Sequence, residues 1–102
     1  IYCSVPDHNT ATTISNELLK EQLIACSQVI GPMISNYVWE NQQCTSEELQ
    51  IQLKTRAELF DPICERIKTL HPYDLPEIIA VSITNTSPEY EEWIYSNTTK
   101  LV

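Results

Sequence analysis

The clearest constraint in the sequence is a strict alternation of apolar and polar side chains over Glu48–Thr55. Leucine and isoleucine alternate there with glutamate, glutamine and lysine. This pattern is typical of an antiparallel strand with one buried face and one face in water. Met33–Glu40 also has strand character, with Tyr37 and Trp39 on one face, and Asn41–Gln43 provides a polar turn between the two strands. The sequence therefore predicts a long β-hairpin.

The first arm of this hairpin is interrupted by Gly31-Pro32. The residues before it, 25–30, also have the composition of a strand. Gly31 is the only glycine in the chain, which indicates a position where a side chain does not fit. We therefore expect a bend or a β-bulge there.

Two segments carry apolar residues at the spacing of one helix face. The first follows Asn9-Thr10, which suits a helix N-cap, and gives way near Ile24. The second starts around Asp61-Pro62 and is closed by His71. The residues expected to face inward are Ala11, Ile14, Leu18, Leu19 and Leu23 in the first helix and Phe60, Ile63, Cys64, Ile67 and Leu70 in the second.

Three further segments complete the predicted elements. Residues 1–5 read as a short strand, and the nearly continuous apolar run Glu77–Thr84 is typical of a strand in the centre of a sheet. Ser87-Pro88 is a helix-start signal. The residues of this last helix that are expected to face inward are Tyr90, Trp93, Ile94 and Asn97.

The order strand, helix, strand, strand, helix, strand, helix predicts an α+β fold of the ferredoxin-like, split βαβ type. Its antiparallel sheet is expected to carry both main helices on one face. No linker, repeat or low-complexity segment interrupts the chain, so we expect one domain over residues 1–102. A small open sheet leaves edges uncovered, and the hairpin with Tyr37 and Trp39 is where another subunit is expected to pair.

The composition argues against two classes of partner. The chain has 6 Lys and Arg against 14 Asp and Glu, a formal net charge of −8, and no basic stripe, which disfavours nucleic acid. No apolar run approaches the roughly 20 residues of a membrane span, so no membrane partner is expected. The four cysteines form no CxxC pair, and most lie in apolar patterns. This indicates reduced thiols and a cytoplasmic location.

Titratable side chains are concentrated in His71–Glu77, where two prolines hold the backbone extended or turning. The segment combines an imidazole, a phenol and two carboxylates. A rigid loop of this kind can hold a binding site against the scaffold. The same residues also suit the end of one helix and the start of the next strand. Residue types alone favour this second interpretation.

Segments along the whole chain resemble the CutA family of divalent-cation tolerance proteins, and the His-Pro-Tyr to Pro-Glu stretch is the most specific of them. The resemblance implies a ferredoxin-like homotrimer, similar in architecture to the PII signalling proteins, whose long hairpins join between subunits. It also implies a non-enzymatic response to divalent cations, with copper among the ions usually considered. The matching segments are Cys3–Asp7, Leu23–Cys26, Tyr37–Glu40, Lys54-Thr55, His71–Ile79 and Tyr90–Trp93.

The resemblance also suggests metal ligands. In bacterial members described as copper-binding, a thiol of the first strand and the imidazole of the His-Pro-Tyr step are implicated, and these positions correspond to Cys3 and His71. Glu77 is the expected carboxylate neighbour, and such a mixed set suits copper or zinc. Those members can show two adjacent histidines, whereas Leu70 precedes His71 here. The alternative is that Cys3 is a core thiol and His71 a helix-end residue.

Two other functions are alternatives to metal binding. An enzyme is disfavoured because no nucleophile motif surrounds Cys3 or Cys26, and the loop Pro6–Asn9 lacks the arginine and glycine of an anion-binding loop. A regulatory or scaffold trimer is the second alternative, by analogy with PII proteins. Its clefts between subunits would bind a small ligand or partner and would be lined by Tyr37, Trp39, Lys54, Tyr73 and Glu77.

Overall fold

The computed structural model describes residues 1–99, and it has an antiparallel sheet in which the third strand along the chain lies between the first and the second. Helices and strands are mixed along the chain, so the predicted α+β, ferredoxin-like class is confirmed. No helix within residues 1–99 is long and apolar enough to cross a membrane. The elements are β1 (Tyr2–Val5), α1 (His8–Lys20), β2 (Cys26–Trp39), β3 (Gln42–Lys54), a 3-10 turn (Ala57–Leu59), α2 (Phe60–Leu70) and α3 (Pro88–Ser96).

The predicted long hairpin is formed by β2 and β3, which have 14 and 13 residues. The strands pair as far as Trp39 opposite Gln42. The turn therefore lies at Glu40 and Asn41, one residue earlier than expected, and both have positive φ angles, of 50° and 64°. Two consecutive residues with positive φ give a turn whose twist matches that of the strands.

The expected bulge is confirmed at Gly31-Pro32. Ile30 lies opposite Gln50 and Met33 opposite Glu48, so β2 advances three residues while β3 advances two. Side chains on a strand alternate between faces, and one extra residue therefore exchanges the faces of all residues that follow. The bulge is the reason why the odd-numbered residues of β2 beyond it share a face with Glu48.

Gly31 suits the bulge because of its backbone angle and its surroundings. Its φ is +141°, a value that side chains rarely allow. A Cβ atom there would lie 2.8 Å from Cδ2 of Leu49 and 3.2 Å from the carbonyl oxygen of Glu48. A side chain at this position would therefore meet both backbone strain and a steric clash.

The core lies between the sheet and the helices α1 and α2. Residues of β1 and β3 with odd numbers point to this side, as the alternation over Glu48–Thr55 predicted. Leu19, which was expected to face inward, is instead exposed on α1. The buried residues that form the core cluster are Cys3, Val5, Ala11, Ile14, Leu18, Ile24, Leu49, Ile51, Leu53, Leu59, Ile63 and Ile67.

The helix starts partly agree with the sequence. The N-cap of α1 is Asp7 rather than Asn9-Thr10, because the backbone N–H of Thr10 donates to Oδ1 of Asp7 at 2.8 Å. This hydrogen bond lowers the pKa of the Asp7 carboxyl. The predicted cap of α3 is confirmed, since the N–H of Tyr90 donates to Oγ of Ser87 at 3.3 Å and proline follows in the first turn.

The predicted central strand Glu77–Thr84 is wrong. Only Ile79 pairs with the sheet, through two backbone hydrogen bonds to Tyr2 of 2.7 and 3.1 Å. This bridge lies on the free side of β1, where the fourth strand of a ferredoxin-like sheet would be an edge. The side chains of Ile79, Val81 and Ile83 are exposed. The continuous apolar run therefore reflects an uncovered surface rather than burial within this chain.

The inward face predicted for α3 is also largely wrong. Ile94 is buried, but Tyr90, Trp93 and Asn97 are exposed. The helix follows an irregular segment and covers little of the sheet, so only one side chain reaches the interior. The aromatic rings that indicated a core face lie at the surface of the chain.

Gly31→Ala should destabilise the protein. We expect the free energy of unfolding to fall by about 1–3 kcal/mol, because alanine must adopt a backbone angle that is nearly exclusive to glycine. Guanidinium denaturation at a fixed protein concentration measures this loss. Gln43→Ala, at an exposed site on β3, serves as the control and should change stability little. An unchanged midpoint for Gly31→Ala would contradict the strain at the bulge.

Candidate functional site: predicted metal ligands and the hairpin cleft

His71 ends α2 and begins the segment that carries the predicted site. Its N–H donates to the carbonyl oxygen of Ile67 at 2.8 Å, which closes the last turn of the helix. Its side chain is 8% exposed, so the ring is enclosed between α2, β1 and the following loop. The prediction that His71 closes this helix is confirmed.

Both ring nitrogens of His71 are in hydrogen bonds. The N–H of Tyr73 donates to Nδ1 at 3.2 Å, so Nδ1 is the acceptor and the ring proton is on Nε2. Nε2 then donates to the carbonyl oxygen of Ser4 at 2.7 Å. The imidazole is thus fixed as a neutral tautomer with no free lone pair. It ties the loop to β1 and does not fit the role of a metal ligand in this arrangement.

Cys3 lies in the core, on the helix side of β1, and is fully buried. Burial, together with the negative charges of Glu77 and Glu48, raises the pKa of its thiol to about 12. The group is therefore a neutral thiol near pH 7, whereas metal ions bind the thiolate. A buried, protonated thiol does not fit a copper or zinc site.

Glu77 lies near the opposite face of β1 from Cys3. The hydroxyl of Ser4 donates to Oε1 of Glu77 at 3.2 Å, and neighbouring residues of a strand point to opposite faces. Within residues 1–99, no group of three His, Cys, Asp or Glu side chains is placed to hold a metal ion. The structure therefore does not bring the three predicted ligands together, and their assignment stays a prediction.

A cleft of about 640 Å³ opens between the hairpin and the segment 73–77. Four of the predicted cleft residues line it together: Tyr37, Trp39, Tyr73 and Glu77. Its walls also carry the carboxylates of Glu48, Asp74 and Glu77. The hairpin supplies one wall and the two-proline loop supplies the other.

Lys54 is not part of this cleft. It lines a second cavity of about 630 Å³ between the end of β3, the segment 80–86 and α3. Its ammonium group donates to the side-chain amide oxygen of Gln28 on the neighbouring strand. The predicted cleft set is therefore divided between two places, with the aromatic residues and Glu77 at one and the lysine at the other.

Glu48 is the main residue of the cleft that the sequence did not identify. It is 7% exposed, although the alternation placed it on the solvent face of β3. The hydroxyl of Tyr73 donates to its Oε2 at 2.8 Å, and burial and this carboxylate raise the pKa of the phenol. Only the register shift at the bulge, which sets Glu48 opposite Met33, could have indicated its position.

The electrostatic character of the cleft follows from its lining. None of the residues within 1–99 that form its walls is Lys, Arg or His. The whole chain has a formal net charge of −8. A concave surface with charges of one sign concentrates ions of the opposite sign, so the cleft favours cations and disfavours phosphates.

The thiol of Cys3 should be unreactive in the folded protein. We expect iodoacetamide at pH 8 to leave Cys3 unmodified and to label it after unfolding in guanidinium, because a buried neutral thiol is a poor nucleophile. Peptide mass spectrometry measures the labelling, and the half-buried Cys44 of the hairpin is the internal reference. Equal native labelling of Cys3 and Cys44 would contradict the assigned protonation state.

Removal of the His71 ring should destabilise the fold. His71→Ala leaves the carbonyl of Ser4 and the N–H of Tyr73 without their partner, which costs about 1–3 kcal/mol per unsatisfied group. The other histidine, His8, is exposed at the start of α1, so His8→Ala is the matched control. Thermal and guanidinium unfolding should separate the two variants. Equal stability would show that the ring does not anchor the loop.

The chain is similar to one family of known proteins. Residues 1–97 match the family described as CutA1 divalent ion tolerance protein. The Divalent-cation tolerance protein CutA of Thermus thermophilus is 36% identical over 98 residues, which are 96% of this chain and 95% of that protein. Protein CutA, chloroplastic, of Arabidopsis thaliana is 38% identical over 99 residues, 96% of this chain but 54% of that protein.

A solved structure agrees with the sequence comparison. The periplasmic divalent cation tolerance protein CutA from Archaeoglobus fulgidus superposes with a TM-score of 0.91 at 30% identity, and the match covers 94% of this chain and 93% of that one. These names describe tolerance to divalent cations and no catalytic activity.

Proposed function

The chain belongs to the CutA1 divalent ion tolerance family, and from this we propose that it is a non-enzymatic protein that binds divalent cations as a homotrimer. The observation that carries the proposal is the acidic cleft, whose described lining has three carboxylates and no cationic side chain. Copper or another divalent ion is the proposed ligand. We also propose that folding requires no metal, because the core cluster is built from apolar side chains.

Of the three predicted ligands, Glu77 is the one whose carboxylate lines the cleft. Cys3 is enclosed as a thiol and both nitrogens of His71 are in hydrogen bonds. Binding through the latter two would require the loop to leave β1. We therefore propose that an incoming cation meets Glu77 first, and that further donors come from a neighbouring subunit.

The homotrimer is supported by the apolar surface that one chain leaves uncovered. Monomeric proteins rarely expose large contiguous apolar patches, and the hairpin extends well beyond the core. The unpaired segment after Ile79 offers backbone groups to a further strand. Outside the cleft, this surface includes Val29, Ile30, Ile34 and Val38 on the hairpin, Ile79, Val81 and Ile83 in the segment after α2, and Tyr90, Trp93 and Tyr95 on α3.

A regulatory or scaffold trimer similar to PII proteins is the second candidate. The cleft volume of about 640 Å³ is within the range of small-molecule sites, which favours a ligand larger than a single ion. We propose the cytoplasm as the compartment, supported by four cysteines that are all free. The relatives with chloroplastic and periplasmic names indicate that location varies between members of the family.

Metal titration tests the proposed ligand. We expect Cu²⁺ or Zn²⁺ to bind metal-free protein in calorimetry, and Glu77→Gln to weaken binding about tenfold, the effect of losing one charged donor. Glu65→Gln removes the same charge from an exposed site on α2 and should leave affinity unchanged. Cys3→Ala should also leave it unchanged, because the thiol is buried and protonated.

The outcomes of this titration are distinct. Absence of binding by the wild-type protein would overturn the proposed function. Loss of binding in Cys3→Ala, with Glu77→Gln unaffected, would show that the buried thiol is the ligand and that the proposed approach through the cleft is wrong.

Solution mass tests the assembly. Light scattering on a sizing column should give three times the 11.7 kDa of one chain, because the exposed apolar surface is covered in the trimer. Val38→Glu on the hairpin should reduce this mass, because it places a charge on the exposed apolar face of β2 that points away from the cleft. A well-folded monomer of the wild-type chain at micromolar concentration would contradict the homotrimer.

A further inference from the structure

We propose that the cleft between the hairpin and segment 73–77 binds a small alkylammonium cation, held between its aromatic rings and its carboxylates. The inference deepens the proposed function, since it rests on the same cation-selective cleft and names a second class of ligand for it. Three features of the lining carry it: aromatic side chains, a buried carboxylate and the absence of positive charge among the described residues.

The aromatic side chains of the cleft are exposed although they are large and apolar. Tyr37 and Trp39 are each 42% exposed and Tyr73 is 38% exposed. The bulge at Gly31 sets the two hairpin rings on the cleft side, and the hydrogen bond to Glu48 holds the third ring in the same cleft. Ring faces carry negative electrostatic potential and attract organic cations, most strongly at tryptophan and tyrosine.

The carboxylates add charge to these rings. Glu48 lies on the hairpin wall of the cleft and is almost fully buried, and within residues 1–99 only its Oε2 has a hydrogen-bond donor, the phenol of Tyr73. Asp74 and Glu77 lie on the opposite wall. Glu77 is held by the hydroxyl of Ser4 at 3.2 Å. A cation in the cleft would therefore face carboxylates from both walls.

This combination fits an alkylammonium ion better than the other ligand classes. An anion would meet only like charges, and a neutral apolar molecule would cover carboxylates without replacing their water. A bare metal ion requires three or more converging donors, which the described residues of one chain do not provide. An alkylated ammonium ion uses both the rings and the charge, and the volume of about 640 Å³ has room for it.

The test uses tetramethylammonium chloride as the probe, titrated into the purified chain in its natural assembly and followed by ligand-observed NMR. All titrations are made at one ionic strength, adjusted with sodium chloride. The neutral molecule tert-butanol has a similar shape and reports binding that does not depend on charge. We expect saturable binding of tetramethylammonium and at least about threefold weaker binding of tert-butanol.

The variants separate the rings from the charges, and each has a matched control. Trp39→Leu and Glu48→Gln should each weaken tetramethylammonium binding about threefold or more. Trp93 on α3 is as exposed as Trp39, at 42%, but does not line the cleft, so Trp93→Leu is its control. Glu65→Gln is the charge control for Glu48→Gln. Both controls should bind the probe as the wild type does.

Folding of each variant is checked by circular dichroism. If Glu48→Gln or Trp39→Leu does not fold, Tyr37→Leu and Asp74→Asn test the ring and the charge at exposed positions of the same cleft. The inference is overturned if the probe does not bind, if tert-butanol binds equally well, or if Trp93→Leu weakens binding as much as Trp39→Leu.

Failure of this inference is distinguishable from failure of the proposed function. Binding of Cu²⁺ or Zn²⁺ without binding of tetramethylammonium overturns the inference alone. Binding of tetramethylammonium without any metal binding supports the inference and overturns the proposed metal ligand. The two titrations use different probes on the same protein sample.

Discussion

One extra residue in β2 determines what the far half of the hairpin presents to its surroundings. The register shift at Gly31-Pro32 exchanges the two faces of the strand, so Tyr37 and Trp39 lie beside Glu48. Without it, these rings would point to the side of the helices, beyond the end of the core. The acid-lined cleft exists because glycine accepts the backbone angle that the shift requires.

The other wall of the cleft is fixed by hydrogen bonds that begin at the core. The imidazole of His71 joins the carbonyl of Ser4 to the N–H of Tyr73, and the phenol of Tyr73 reaches the carboxylate of Glu48. A helix end, a loop and two strands are connected in this way. The His-Pro-Tyr step thus has a structural explanation that does not depend on metal, although its residue types resemble a ligand set.

The sequence predicts the structure correctly where a pattern depends on local geometry. The alternation over Glu48–Thr55 predicted the hairpin and its buried face, the single glycine predicted the bulge, and Ser87-Pro88 predicted the start of α3. The sequence does not predict whether a segment is buried when burial depends on contacts with distant segments. An apolar run such as Glu77–Thr84 has the same composition in the centre of a sheet as on an uncovered edge. The exposed aromatic face of α3 was misassigned for the same reason.

The candidate site could not be predicted from the sequence, because it depends on contacts between residues that are distant along the chain. Whether Cys3 and Glu77 converge depends on the faces of β1, and whether His71 is free depends on partners at Ser4 and Tyr73. Sequence spacing contains neither fact. Glu48 was placed with the solvated residues of its strand, yet its carboxylate is covered by a ring from a loop 25 residues away.

The segment around and after Ile79 can make an isolated chain prone to aggregation. From Ile78 to Thr86 it contains β-branched residues and no charged residue, proline or glycine, and its backbone pairs with β1 at one position only. Segments of this composition stack readily into cross-β fibrils when they stay uncovered. While the segment stays uncovered, each chain therefore carries a short stretch that can start amyloid-type aggregation.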